Sequence, residues 1–232
     1  MKYGQVCPIS KAAEVLGEPW TLLIVRELLL GTTRFNDFQR ALSGISPSLL
    51  TKRLRQLEDH EIVVRKSLFE QRRAEYHLTA AGRELEPIVV GLGEWGMRWA
   101  RGQMSDDELD VEMLMFDFCR RIDANKLPGG QTVLHFALSG LTKFPYWWIV
   151  VVGDDRQLCL HPPAGKIDLR IETDVRTLAE IWTGDVAIRE ARQHGKLVLK
   201  GSSILSRSIG DWLRTGVLSH IRPAGRQESS RP

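Results

Sequence analysis

SGISPSLLTKRLRQLEDHEIVVRKSLFEQRRAEYHL, residues 43–78, encodes a turn, a capped helix and a hairpin in succession. A glycine turn, Ser43-Gly44-Ile45, leads to Ser46 as a helix N-cap. Pro47 follows at the first helical position, where its missing N–H is harmless. Leu50, Leu54 and Leu57 recur at helical spacing and leave Ser48, Thr51, Lys52 and Arg55 on the other side. A helix with one apolar side and one polar, basic side suits the major groove of a duplex. After it, Ile62 to Leu68 and Ala74 to Leu78 alternate as the arms of a hairpin, with Arg72 and Arg73 at its polar tip.

On the N-terminal side, Pro8 to Leu16 predicts a short helix closed by Gly17. A second helix is expected from Glu18-Pro19, with Pro19 at its first position, to Gly31; it is apolar nearly all round and so central. Phe35, Phe38 and Leu42 predict a short third helix. His60 stands where a glycine usually ends such a helix, and is expected at positive φ. Thr79 caps a long final helix through Trp95 and Trp99. Three helices, a reading helix, a wing and a long helix make the winged helix-turn-helix plan. Trp20, Phe35 and Phe38 are expected in its core, and Trp95 and Trp99 in dimer packing.

On that plan the DNA-facing residues are Arg34, Ser46, Ser48, Thr51, Lys52, Arg55, Arg72 and Arg73. Lys52 and Arg55 have the donors to read guanine, while Ser48 and Thr51 suit phosphate or a thymine methyl. Arg72 and Arg73 suit phosphate or a narrow minor groove, and Arg34 a phosphate clamp. The plainer alternative for each is a solvated surface charge.

Composition is consistent. The chain has 232 residues, 43% hydrophobic and 26% charged, enough for two cores. Its formal charge of +3 alone argues nothing, but Arg34 to Arg73 holds nine basic residues against five acidic ones. Cys7, Cys119 and Cys159 have no CxxC spacing, which argues against a disulfide framework or structural zinc. Cys159 and His161 share no known ligand pattern with Cys119. No run approaches the roughly 18 apolar residues of a membrane span, and a cytoplasmic protein without membrane contact is expected. No Ser/His/Asp set, Gly-rich phosphate loop or HExxH motif is present, so no enzyme, cofactor or metal is expected.

The second half changes period. Ser105 is read as the cap of a helix striped by Leu109, Met113, Phe116 and Ile122, with Val111, Leu114 and Met115 adding apolar surface. Strands are expected at Thr132–Leu138, Tyr146–Val152, Gln157–Leu160, Leu169–Thr173 and Lys196–Lys200, with helices at Val175–Thr183, Ala187–His194 and Ile204–Leu213. The fold class is therefore α+β, an N-terminal winged helix-turn-helix plus a C-terminal antiparallel sheet with helices. The expected domains are 1–103 for DNA binding, 104–126 a connecting helix, 127–221 ligand binding and 222–232 a disordered tail.

Cys7-Pro8-Ile9, Gly17-Glu18-Pro19-Trp20-Thr21, Arg26-Glu27-Leu28, Gly44-Ile45-Ser46, Leu50-Thr51, Arg53-Leu54, Glu75-Tyr76 and Leu78-Thr79-Ala80-Ala81-Gly82 resemble the HxlR-type transcriptional regulators. The resemblance implies double-stranded DNA as partner and a homodimer whose first and last helices form the interface. His60-Glu61 departs from the family's glycine-led turn, and the tip Gln71-Arg72-Arg73 lacks its prolines. Some members sense oxidants through a cysteine near this position, which makes Cys7 a candidate redox sensor; the alternative is a small packed residue. Trp148-Ile149-Val150-Val151, Asp168-Leu169-Arg170-Ile171, Thr183-Gly184-Asp185 and Asp211-Trp212-Leu213 resemble the sterol carrier protein type 2 fold. That resemblance implies an apolar tunnel, with Trp148, Ile181, Trp182, Ile188 and Leu205 as candidate lining. A ligand-responsive regulator is the expectation. A lipid-binding or scaffold domain uncoupled from DNA, or a thiol switch at Cys7, are the alternatives.

Overall fold

The computed structural model describes residues 2–68, 73–101 and 108–224, and the chain separates into two compact units, Met1–Trp95 and Gly96–Pro232. The first unit thus ends before the boundary expected after residue 103. The expected Ser105 cap lies outside the described residues.

The first unit runs α1 (Pro8–Leu16), α2 (Thr21–Leu29), α3 (Phe35–Ala41), α4 (Pro47–Asp59), β1 (Val63–Leu68), β2 (Arg73–Leu78), α5 (Ala80–Arg83) and α6 (Glu86–Trp95). Ile24 and Val25 of α2, Phe38 of α3 and Leu50, Leu54 and Leu57 of α4 are at most 1% exposed and form the centre of the core. Phe35 and Trp20 are only half-buried. β1 and β2 pair antiparallel from Val63↔Leu78 to Leu68↔Arg73, and Arg34 adds a bridge to Glu75.

Three local expectations are corrected. Helix α2 starts at Thr21 rather than at Pro19, because Trp20 turns to φ 75° and lays its ring against Gly44, where a Cβ would stand 3.0 Å from the indole. His60 has φ −92°, and the left-handed residue that ends α4 is Glu61, at φ 55°. The long terminal helix is broken: Thr79 caps only α5, accepting from Gly82 N–H, and α6 begins afresh. Pro87 supplies the reason, since in a continuous helix its ring would meet the Arg83 carbonyl.

Gly82 marks the tightest joint of this unit. A Cβ there would stand 2.2 Å from the Ile62 carbonyl oxygen, which itself accepts from Thr79 N–H at 3.0 Å. Gly82→Ala is expected to destabilise the first unit by roughly 1–3 kcal/mol or more, through backbone displacement. Urea unfolding followed by circular dichroism measures this, and an unchanged midpoint contradicts it.

The second unit begins with a π-helical turn, Gly96–Ala100, then α7 (Val111–Arg121) capped by Asp110. It continues with β3 (Gln131–Ser139), β4 (Tyr146–Val152), β5 (Asp155–Cys159), β6 (Leu169–Asp174), α8 (Val175–Thr183), α9 (Ile188–Gln193), β7 (Val198–Gly201), α10 (Ser203–Arg207) and α11 (Ile209–Trp212). The sheet order is β5-β4-β3-β6-β7. All pairs are antiparallel except β3 with β6, because the chain returns from β5 across to the free edge of β3. Ser208 divides the last expected helix into two short ones.

One sheet face packs against the helices. Leu134, Phe136, Ile149, Leu169 and Ile171 meet Met115 and Phe118 of α7, Leu178 and Ile181 of α8, Leu205 of α10 and Trp212 of α11. The segment expected as a connector therefore supplies a core helix. Its buried side is Leu114, Met115, Phe118 and Cys119, followed by Ile122, with Leu109 and Met113 packed against them; of the expected stripe, Phe116 is not part of this core. Arg222 donates to the Gly184 carbonyl and Ala224 N–H to that of Arg98, so the start of the expected tail is anchored. Residues 225–232 lie outside the described residues.

Candidate nucleic-acid interface

Helix α4 presents its polar side as the leucine spacing requires. Ser46 caps it, its Oγ accepting from Leu49 N–H at 3.3 Å and lying 3.2 Å from the Ser48 Oγ. Lys52 and Arg55 are exposed and have no hydrogen-bond or ion-pair partner among the described residues, so their donors face solvent. Thr51 is half-buried and gives its hydroxyl proton to the Pro47 carbonyl at 2.9 Å. It thus keeps its methyl and acceptor lone pairs for a ligand, not its donor.

Arg53, one of the nine basic residues between Arg34 and Arg73, does not face solvent. Its Nε donates to the Pro19 carbonyl at 2.9 Å, one terminal nitrogen to Gln56 at 2.7 Å, and the other meets Glu18 at 2.8 Å. The side chain is buried and ties α4 to the turn before α2. A basic residue one position off the leucine row was the available signal. Arg34 lies at the start of α3, 55% exposed, with its Nε 3.5 Å from Glu75. Arg72, and the side chain of Arg73, lie outside the described residues.

Cys7 is exposed at the N-cap of α1. Backbone N–H groups of Ser10, then Ile9, hold its thiol below the ordinary cysteine value. Lys11 does not contribute, being engaged by Glu14 at 3.0 Å. Trp95 and Trp99 are 59% and 60% exposed, as are Ile88 and Leu92 at 50% each.

The candidate lining residues of the second unit are not all on one side. Ile181 and Leu205 are buried in the helix-covered core, with Trp182 and Ile188 packed against it. Trp148 points to the opposite sheet face, stacked on His135 at 4.8 Å. The continuous apolar run of β4 hid this, because both faces of that strand are buried at its centre. Among the described residues no group of three or more His, Cys, Asp or Glu could hold a metal ion, and no helix is long and apolar enough to cross a membrane.

A capped, cation-bearing helix on a leucine core, followed by a two-stranded wing, defines a winged helix-turn-helix regulator. Residues 15–104 match the profile of the HxlR-like helix-turn-helix family, and residues 118–214 that of the SCP-2 sterol transfer family. The chain is 41% identical over 97 residues to the HTH-type transcriptional regulator sll1512 of Synechocystis, covering 41% of this chain and 72% of that protein. It is 37% identical over 101 residues to YvaP of Bacillus subtilis, an HTH-type transcriptional regulator, covering 43% of this chain and 94% of that one. The reduced form of the transcriptional regulator YodB from B. subtilis is 33% identical, with a TM-score of 0.36, covering 40% of this chain and 92% of that one. The chain belongs to the HxlR-like helix-turn-helix family and carries an SCP2 domain after it.

Proposed function

We propose that this regulator binds DNA as a homodimer and that an apolar, lipid- or sterol-like molecule bound by the second unit changes its affinity. The free donors of Lys52 and Arg55 on α4 carry the DNA part of this reading. Ser46 and Ser48 at the start of α4, Arg34, and the wing-tip Arg72 and Arg73 complete the contact set with phosphates. The exposed apolar row of Ile88, Leu92 and Trp95 on α6 supports dimerisation, since monomers rarely leave such a row in water.

The SCP2 profile supports an apolar ligand. Ile181, Trp182, Ile188 and Leu205 are the proposed lining; Trp148 is not, because it lies across the sheet. A mechanical handle favours coupling. Arg101 pairs with Asp185 and donates to the Thr183 carbonyl at 3.3 Å, so the turn that follows α6 in sequence is held to the end of α8. A ligand that moves α8 pulls on this turn, and a coupling of about 1–3 kcal/mol would change DNA affinity several- to a hundredfold.

Footprinting on DNA upstream of its own gene, with and without a lipid extract, tests this. Protection that shifts with the extract is expected, whereas ligand binding with constant DNA affinity supports an uncoupled carrier or scaffold. A second reading, a thiol switch, rests on the exposed, depressed Cys7 thiol. It requires Cys7→Ser to lose any response of DNA affinity to peroxide, and an unaltered response ends it.

A further inference from the structure

The sheet face turned away from the helices carries two neighbouring rows of side chains. Strand register places Trp148, His135, Arg170 and Lys200 in one row, and Tyr146, Ala137, Glu172 and Val198 in the next. The second row, with Pro145, Ser139 and Lys196, lines an open groove of about 460 Å³, a volume suited to a small molecule.

Beside that groove lie buried polar atoms that the fold leaves unsatisfied. His135 is 4% exposed and Trp148 7%, and neither the two imidazole nitrogens nor the indole N–H has a hydrogen-bond partner among the described residues. Buried polar groups in folded proteins are nearly always paired, so three orphans in one stack mark a place built for something else. The cations add to this. Arg170 gives only its Nε–H to Glu172, at 2.7 Å, and the Lys196 ammonium has no partner among the described residues. Of the acidic groups in the groove, Glu172 is also held by Lys200 at 2.7 Å, and Asp174 is engaged in capping α8 through Thr177. The unsatisfied groups are therefore mainly donors and cations, and their complement is an anion.

We propose that this face binds a small aromatic carboxylate. Its ring lies along Tyr146, Ala137 and Val198, and its carboxylate accepts from Arg170, His135 and the Trp148 indole. Tyr146, 49% exposed and 5.6 Å from His135, turns aside to admit it. Lys200 keeps Glu172 neutralised when Arg170 turns to the ligand. Burial, and then Arg170, lower the His135 pKa, so the ring is neutral and offers one N–H. This site is separate from the helix-covered side assigned above to an apolar ligand, and does not depend on coupling to DNA.

Calorimetric titration of the full chain with 1-naphthoate, and with uncharged 1-naphthalenemethanol, tests it. Binding of naphthoate at one per chain is expected, with the alcohol at least about tenfold weaker, as loss of charge-assisted hydrogen bonds requires. Arg170→Gln and Trp148→Phe should each weaken naphthoate by roughly tenfold. Should Trp148→Phe fail to fold, Arg170→Gln decides alone, because that side chain is 41% exposed and outside the core. No heat at millimolar naphthoate, equal affinity for the alcohol, or full affinity in Arg170→Gln overturns the proposal.

Discussion

Replacing Lys52 and Arg55 together by alanine is expected to lower affinity for operator DNA by roughly 2–6 kcal/mol, about thirtyfold at the least. Both side chains are exposed and unpartnered among the described residues, so the change removes donors without opening the core. The melting temperature should stay within about a degree of the parent, because surface substitutions of this kind are nearly neutral. Single variants separate the roles. A residue that reads guanine loses discrimination at one base pair. One that neutralises phosphate weakens all sequences alike and reduces the salt slope by about 1. Fluorescence anisotropy with operator and scrambled duplexes over a salt series provides both readouts. Arg53→Ala behaves differently: it loses stability first, since its guanidinium holds α4 to Pro19 and Glu18 and is steadied by Gln56 within the helix.

The second large effect lies in the core of the SCP2 domain. Asp117 has a side chain only 2% exposed, with Arg120 at 2.5 Å, Arg121 at 2.5 Å and the Trp182 indole N–H at 2.6 Å. Burial by itself would raise its pKa, but Arg120, the indole bond and Arg121 together hold the carboxyl below the ordinary aspartate range. Asp117→Ala leaves two half-buried guanidinium groups and an indole N–H without their common acceptor. Breaking a buried pair in this way costs about 3–5 kcal/mol. The transition of the second unit should fall by on the order of 10 °C in scanning calorimetry, while that of the first unit holds. The pH dependence has a fixed sign. The folded pKa lies below the unfolded value of about 3.9, so the stabilisation is complete above that value and is lost as pH falls through the folded pKa. Asp117→Asn keeps an acceptor for the indole and should flatten this acid limb at smaller cost. A parent-like acid limb in that variant contradicts the role given to Asp117.

The features that the sequence made legible are those set by local rules. Helix α4 and its Ser46 cap, the two arms of the wing, strand β4 and helix α8 follow from leucine spacing, alternation and capping residues, and each stands close to where those rules put it. The departures come from tertiary contacts that periodicity does not encode. Trp20 takes a left-handed backbone to cover Gly44, and Arg53 turns inward to Pro19 and Glu18, both far off in the chain. The β3–β6 pair is parallel because of how the chain crosses the sheet. Periodicity does not separate Trp148 from Ile181 and Leu205, because strands β3 and β4 are buried on both faces and the alternation is erased. Pro87 is a readable signal for the break after α5, masked by the apolar period on either side.

Helix α4 is expected to enter a major groove with Lys52 and Arg55 leading. Dimethyl sulfate protection reports this entry, because guanine N7 lies on the major-groove edge. On the native operator, protected guanines should fall in two patches about one helical turn, roughly 34–36 Å, apart, and vanish in the Lys52→Ala/Arg55→Ala protein. Bound complex that leaves every N7 reactive, or the same protection by the double variant, would contradict it.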